Sequence, residues 1–178
     1  MANEPRVADS LADYLTDPHS ALPEPVDARQ AAERAVMLYE RSGYIGATFN
    51  LYFGDLSGQP YHAVALYSDL VPEPEPGRDV DVRIVQALIV QNQELLRDPR
   101  NNIGLWYDDA HDLLYLNISA VLPDRDETRR LGELYNEKEG FDLKSGEPFL
   151  IGGTGTPAAN LPPPRERLPP LVRGEDHE

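Results

Sequence analysis

Between Ile45 and Phe53 the chain alternates without a break. Ile45, Ala47, Phe49, Leu51 and Phe53 fall on one side of an extended backbone; Gly46, Thr48, Asn50 and Tyr52 fall on the other. A period of two marks a strand with one buried face, and it rules out a helix here. Gly54-Asp55-Leu56-Ser57-Gly58 then reads as a turn, and Tyr61 to Tyr67 as the returning strand. The theme recurs downstream, where Ile103 to Tyr107 and Leu113 to Val121 predict a second hairpin around Asp108-Asp109-Ala110-His111-Asp112. A helical pattern follows each hairpin. Val80 to Arg97 places Ile84, Leu88, Leu95 and Leu96 on an apolar side, with Pro99 behind its end. Pro123-Asp124-Arg125-Asp126-Glu127 opens the other with an Asp-x-x-Glu capping box; that helix buries Leu131, Leu134 and Tyr135 and ends at Gly140. Phe149-Leu150-Ile151 reads as a short last strand. Two hairpin–helix units predict an α+β fold: an antiparallel sheet of four to five strands with its helices on one face.

At 178 residues the chain has the length of one domain with tails. Residues 1–26 read as an N-terminal arm. Ser10 and Asp13 cap a short turn presenting Leu11, Tyr14 and Leu15, with Pro18 as its stop. The domain spans 27–156 and begins with a helix capped at Asp27, whose Ala32, Ala35, Val36 and Tyr39 share a face and whose Gly43 suits a left-handed cap. Val71 to Gly77 is an extended, charged connector. Residues 157–178, with Pro162-Pro163-Pro164 and Pro169-Pro170, hold few large apolar side chains and read as a disordered tail. Leu161-Pro162-Pro163-Pro164-Arg165 also has the form of a polyproline ligand.

Charge narrows the function classes. The chain carries 16 Lys plus Arg against 31 Asp plus Glu, a net −15, and 19 of the acids lie between residues 45 and 156. That balance argues against direct nucleic-acid binding, which needs cations to displace phosphate counterions, and against adhesion to anionic membranes. No Cys is present, which excludes disulfides and thiolate chemistry. No basic region followed by an apolar run opens the chain, and no apolar stretch approaches the ~20 residues a bilayer requires. The expected location is the cytoplasm of a bacterium or bacterial host.

Several segments of the second half carry a resemblance. Asn102-Ile103-Gly104-Leu105-Trp106-Tyr107, Leu114-Tyr115-Leu116-Asn117-Ile118-Ser119, Pro123-Asp124-Arg125, Leu134-Tyr135-Asn136, Phe141-Asp142-Leu143 and Gly152-Gly153-Thr154-Gly155 together resemble a family of uncharacterised proteins from phage and mobile-element contexts. Ala47 to Asp55 is similar to that family's opening, so the likeness covers roughly residues 45–155. It implies a mobile-element setting and brings no activity with it.

The chemistry-bearing clusters have plain alternatives. Asp108, Asp109, His111 and Asp112 are the densest set of potential metal ligands, yet Asp is also a common turn former. Asp124, Asp126 and Glu127 suit a paired-carboxylate site in composition, but three acids in one first turn complement the helix dipole and cap its N–H groups. Gly152-Gly153-Thr154-Gly155-Thr156 has the composition of a phosphate loop but leads to Pro157, not to a helix. Of four His, His19 and His177 lie near the ends, His62 in a strand and His111 in the turn; no nucleophile elbow is present. No catalytic residue, cofactor or metal is assigned.

Tyr44, Tyr52, Tyr61, Tyr67, Trp106, Tyr107 and Tyr115 lie in or beside the predicted strands, and aromatics on an open sheet face suit protein partners. Tyr52, Tyr107 and Trp106 are therefore the candidate partner-binding residues, with Tyr52 and Tyr107 expected at the surface and Trp106 in the core. The leading reading is an acidic, non-enzymatic interaction protein that binds a protein partner, as a counter-defence inhibitor in a mobile-element setting. A structural or virion-associated component ranks second, and a small metal-assisted hydrolase at Asp108–Asp112 third.

Overall fold

The computed structural model describes residues 4–17 and 19–171. Among these residues, five α-helices and one antiparallel sheet of eight strands make up the fold. In chain order these are α1 (Leu11–Thr16), α2 (Ala28–Arg41), β1 (Gly46–Asn50), β2 (Gly54–Asp55), β3 (His62–Ala65), β4 (Glu75–Pro76), α3 (Val82–Gln91), α4 (Gln93–Leu96), β5 (Asn101–Asp108), β6 (Leu113–Leu122), α5 (Arg125–Leu134), β7 (Glu139–Asp142) and β8 (Glu147–Leu150).

Capping sets the helix starts where the side chains predict them. Ser10 Oγ accepts from Asp13 N–H at 3.0 Å, Asp27 Oδ1 from Gln30 N–H at 2.9 Å and Asp124 Oδ1 from Glu127 N–H at 2.8 Å. Each bond satisfies a donor that the first helical turn leaves open. Helix ends differ more. The helix expected over 80–97 is interrupted at Asn92, whose side-chain amide donates to Leu88 O at 2.9 Å beside its own backbone N–H at 3.2 Å. The helix expected to run to Gly140 stops at Leu134, because Asn136 turns left-handed (φ 59°) and sends the chain into β7. Gly140 lies inside that strand. A Cβ there would sit 2.3 Å from the Phe149 ring, so the glycine makes room for a cross-strand aromatic.

The strand order is β2-β1-β5-β6-β3-β7-β8, with β4 also bonded to β6. The four to five strands expected become eight, through the two-residue β2 and β4 and the β7–β8 hairpin. A larger difference concerns partners. Ile45–Phe53 and Tyr61–Tyr67 do not form a hairpin with each other: β1 pairs with β5, β3 pairs with β6, and the β5–β6 hairpin is inserted between them. Asn50 starts this separation. Its Oδ1 accepts from the N–H groups of Tyr52 and Phe53, at 2.9 and 3.0 Å, and closes the turn into β2 directly after β1.

Two cores flank the sheet. The inner face carries Ala47, Phe49, Val64, Ile103, Leu105, Leu114, Leu116, Ile118 and Ala120, packed with Ala32, Ala35, Val36 and Tyr39 of α2, Val85, Leu88 and Ile89 of α3, Leu96 of α4 and Leu131 of α5. A smaller cluster of Leu11, Leu56, Tyr61, Ala63, Val121 and Leu143 lies on the opposite face, because Ala63 and Val121 alternate with Val64 and Ala120. The helices that follow the two strand pairs share the inner face as expected, while α1, from the N-terminal arm, belongs to this second cluster.

The C-terminal segment also departs from expectation. Arg167 and Leu168 are buried, and Leu168 joins the inner core. The Arg167 guanidinium donates to both Asp69 oxygens (2.5 and 2.8 Å), to Leu66 O at 2.9 Å and to Pro162 O at 3.1 Å. It also lies over the rings of Tyr67 and Tyr135. Arg100 donates to Pro169 O at 2.6 Å. Residues 161–169 are thus a strap fastened by two buried cations, Arg167 and Arg100, not the disordered tail expected there; of that expected tail, 172–178 lie outside the described residues, as does the expected stop at Pro18.

Candidate functional site

The outer sheet face is covered by α1 at only one end. Its cross-strand rows are Gly46, Trp106 and Tyr115; then Thr48, Gly104 and Asn117; then Asn102, Ser119 and Ala65. The first row is the open one, since Thr48, Gly104 and Asn102 are buried. Trp106 is 41% exposed, against the core position expected for it. The reason is parity. Ile103 and Leu105 face the helices, so Trp106 must face away from them. Its ring packs against Tyr115 at 5.1 Å between centroids, tilted by 33°. The glycines Gly46 and Gly104 keep the surface beside it flat; at Gly104 a Cβ would meet Ser119 Oγ at 2.9 Å.

Beyond Gly104 the face closes over a buried amide pair. Asn50 Nδ2 donates to Pro99 O and to Asn102 Oδ1, both at 2.7 Å, while Asn50 Oδ1 takes the two N–H groups described above. Asn102 Nδ2 in turn donates to Arg100 O at 2.8 Å. Both residues are fully buried with every polar atom of Asn50 occupied, so they fix the sheet and offer nothing to a ligand.

The other candidates scatter. Tyr107 has inner parity, is half-buried, and donates from its hydroxyl to Asp112 Oδ1 at 2.6 Å. Tyr52 is half-buried past the end of β1 with its hydroxyl on Arg97 O at 3.2 Å. The three proposed partner-binding residues therefore form no single patch, and only Trp106 stands on the open face. Tyr61 and Tyr67 are core residues, and burial pushes the Tyr67 hydroxyl up to about 12. Tyr115, at Trp106's side, is the aromatic that completes the open pair; the signal for it was its place in β6 alternation, opposite in phase to Leu114 and Leu116.

The acidic turn is occupied with itself. Asp108 Oδ1 accepts from Ala110 N–H at 3.1 Å, Asp108 Oδ2 lies 2.6 Å from His111 Nδ1, and Asp112 holds a left-handed φ of 53°. The His111 contact lowers the Asp108 carboxyl below the ordinary carboxylate range. Asp109 carries no side-chain bond into this arrangement, and among the described residues no group of three or more His, Asp or Glu converges as a metal site. His62 sits by Leu122 at the far end of β6 from this turn, with Nε2 3.9 Å from Asp142 Oδ2. The two histidines share no site.

The glycine loop holds to the protein's own chain. Gly153 N–H donates to Glu137 O at 2.9 Å and Gly155 N–H to Asn136 O at 2.7 Å, while Asn136 Oδ1 accepts from Thr154 N–H at 3.0 Å. A Cβ on Gly153 would meet Asn136 backbone at 2.4 Å, which explains the residue without a phosphate. Among the described residues no helix is long and apolar enough to cross a membrane. No family model matches the chain, and neither a curated protein nor a solved structure matches it.

Proposed function

We propose that this chain is a non-enzymatic interaction protein that binds a protein partner through the open part of its outer sheet face, with Trp106 as anchor. One observation carries the reading: a tryptophan 41% exposed on a flat, glycine-lined sheet surface, braced by Tyr115 rather than buried by it. Exposed aromatics of this kind bury much area at little entropic cost when a partner closes over them. The net charge of −15 favours a partner with a basic surface and speeds its approach at low salt. In the mobile-element setting that the family resemblance implies, the role we assign is counter-defence, by occupying a basic host protein. A virion component docking through its Pro-rich tail finds less support, since residues 161–169 are engaged with the chain's own body.

The test compares wild-type protein with Trp106→Ala in capture from host lysate, followed by repetition with the purified captured protein. The expected result is a basic partner whose affinity falls roughly 30-fold, the equivalent of ~2 kcal/mol, while the melting temperature stays within a few degrees. A collapse in melting temperature, or equal capture by both proteins, overturns the reading.

A further inference from the structure

Helix α3 is apolar beyond the face it buries. Val85, Leu88 and Ile89 pack inward, yet Ile84 remains 44% and Val90 50% exposed. Ile84, Ala87 and Leu88 form one wall of an open groove of about 670 Å³ whose other wall is Leu70-Val71-Pro72, the chain leaving β3. A recess of about 50 Å³ continues from it past Pro72, Asp81 and Ile84 to Leu114 and Leu116. Glu73, Glu75 and Asp79 rim this recess. The rim is held in place: β4 is bonded to β6, and Pro72, Pro74 and Pro76 restrict its backbone.

The charges on the groove are not equivalent. Asp69 is occupied by Arg167, and Asp81 by Arg83, whose guanidinium folds back onto it at 2.8 Å. Glu73, Glu75 and Asp79 make no ion pair among the described residues. An apolar trough thus ends in three carboxylates that stand outside any ion pair among the described residues. A second copy of this chain would bring the same carboxylates and another −15 to the contact, which charge opposes. We infer that the groove receives an apolar segment of a partner protein flanked by Lys or Arg: its aliphatic side chains lie along Ile84 and Leu70, and its cations face Glu73, Glu75 and Asp79. The groove is on the helix side of the sheet, away from Trp106, and the inference does not depend on the reading of that residue.

The probe is a short fluorescein-labelled peptide with a leucine–alanine centre between paired lysines; its control has glutamates in place of the lysines. Anisotropy on the full-length protein is expected to show binding of the lysine peptide alone. Ile84→Asp and the double substitution Glu73→Gln with Glu75→Gln should each weaken it by about tenfold or more, and Trp106→Ala should not. Ile84→Asp adds a negative charge, so a loss of binding there reports the apolar wall and not bulk attraction. Ala87→Asp, also at an exposed position, serves as a second variant if Ile84→Asp lowers the melting temperature. The inference is overturned if neither peptide binds, if the glutamate peptide binds equally, or if the wall variants leave binding unchanged. Loss of binding in Trp106→Ala, or a dimer in sedimentation that Ile84→Asp dissociates, overturns it as well.

Discussion

Asn50 shows how much one polar side chain decides. It occupies an outward position in a strict alternation, where an asparagine reads as solvent-facing, yet it is fully buried and makes four hydrogen bonds. Nothing in the local pattern reveals this, because the atoms that bury it come from Pro99 and Asn102, some fifty residues on. Glu137 is the opposite kind of residue, half-buried, with desolvation alone acting on its carboxyl. Desolvation raises its carboxyl from 4.5 to about 7. The folded protein therefore keeps a proton that the unfolded chain has already released between those values. Stability falls as pH rises across that window, by up to about 3 kcal/mol, and levels off above it. Glu137→Gln is expected to flatten the dependence of melting temperature on pH between about 5 and 7 and to raise it at pH 8. An unchanged slope contradicts this account.

Elements were legible wherever local chemistry fixes them. The caps at Ser10, Asp27 and Asp124 and the β5–β6 hairpin around Asp108–Asp112 follow from residues close together in sequence. The C-terminal strap was not legible. Composition alone makes 161–169 a solvated polyproline stretch, and only the pocket formed by Leu66, Tyr67, Asp69 and Tyr135 gives Arg167 a place to go. That contact carries a pH signature. Arg167 holds the Asp69 carboxyl below its ordinary range, so the pair's contribution is complete above about pH 4 and is lost as pH falls through the lowered value. Arg167→Met is expected to cost about 2 kcal/mol at pH 7, with Asp69 partly open to solvent and the Leu66 carbonyl left unpaired. The cost should shrink near pH 3. Urea midpoints at the two pH values check it, and an equal loss at both would assign the effect to packing.

At the scale of the whole molecule, sequence conveyed the class and missed the order. The two strand patterns around residues 45–53 and 61–67 predict neighbours, because short turns usually join neighbours. Here β5 and β6 together bury Ile103, Leu105, Leu114, Leu116, Ile118 and Ala120, the largest apolar strip in the sheet, and they take its centre. The open aromatic pair was half legible: Trp106 was singled out, but its exposure depends on which face the helices occupy. Net charge acts on this scale too. A chain of −15 repels itself most when compact, so raising monovalent salt from about 10 to about 150 mM should raise the melting temperature. A fall would mean that the ion pairs of Arg6, Arg100 and Arg167 outweigh the repulsion.

The insertion of β5–β6 between β1 and β3 has a consequence for the order in which the protein is made. During synthesis β1 and β3 emerge before their main partners: β1 has only the two-residue β2 to pair with, and β3 has no partner on either edge. Their shared partner, the β5–β6 hairpin, exists only once residue 122 has left the ribosome, so both strands keep open edges while the 57 residues after β3 are made. Contacts this distant in sequence form slowly, and an unpaired edge is where nascent chains associate with one another. The hairpin is therefore the step that closes the open edge of β1 and one edge of β3, while the other edge of β3 waits for β7.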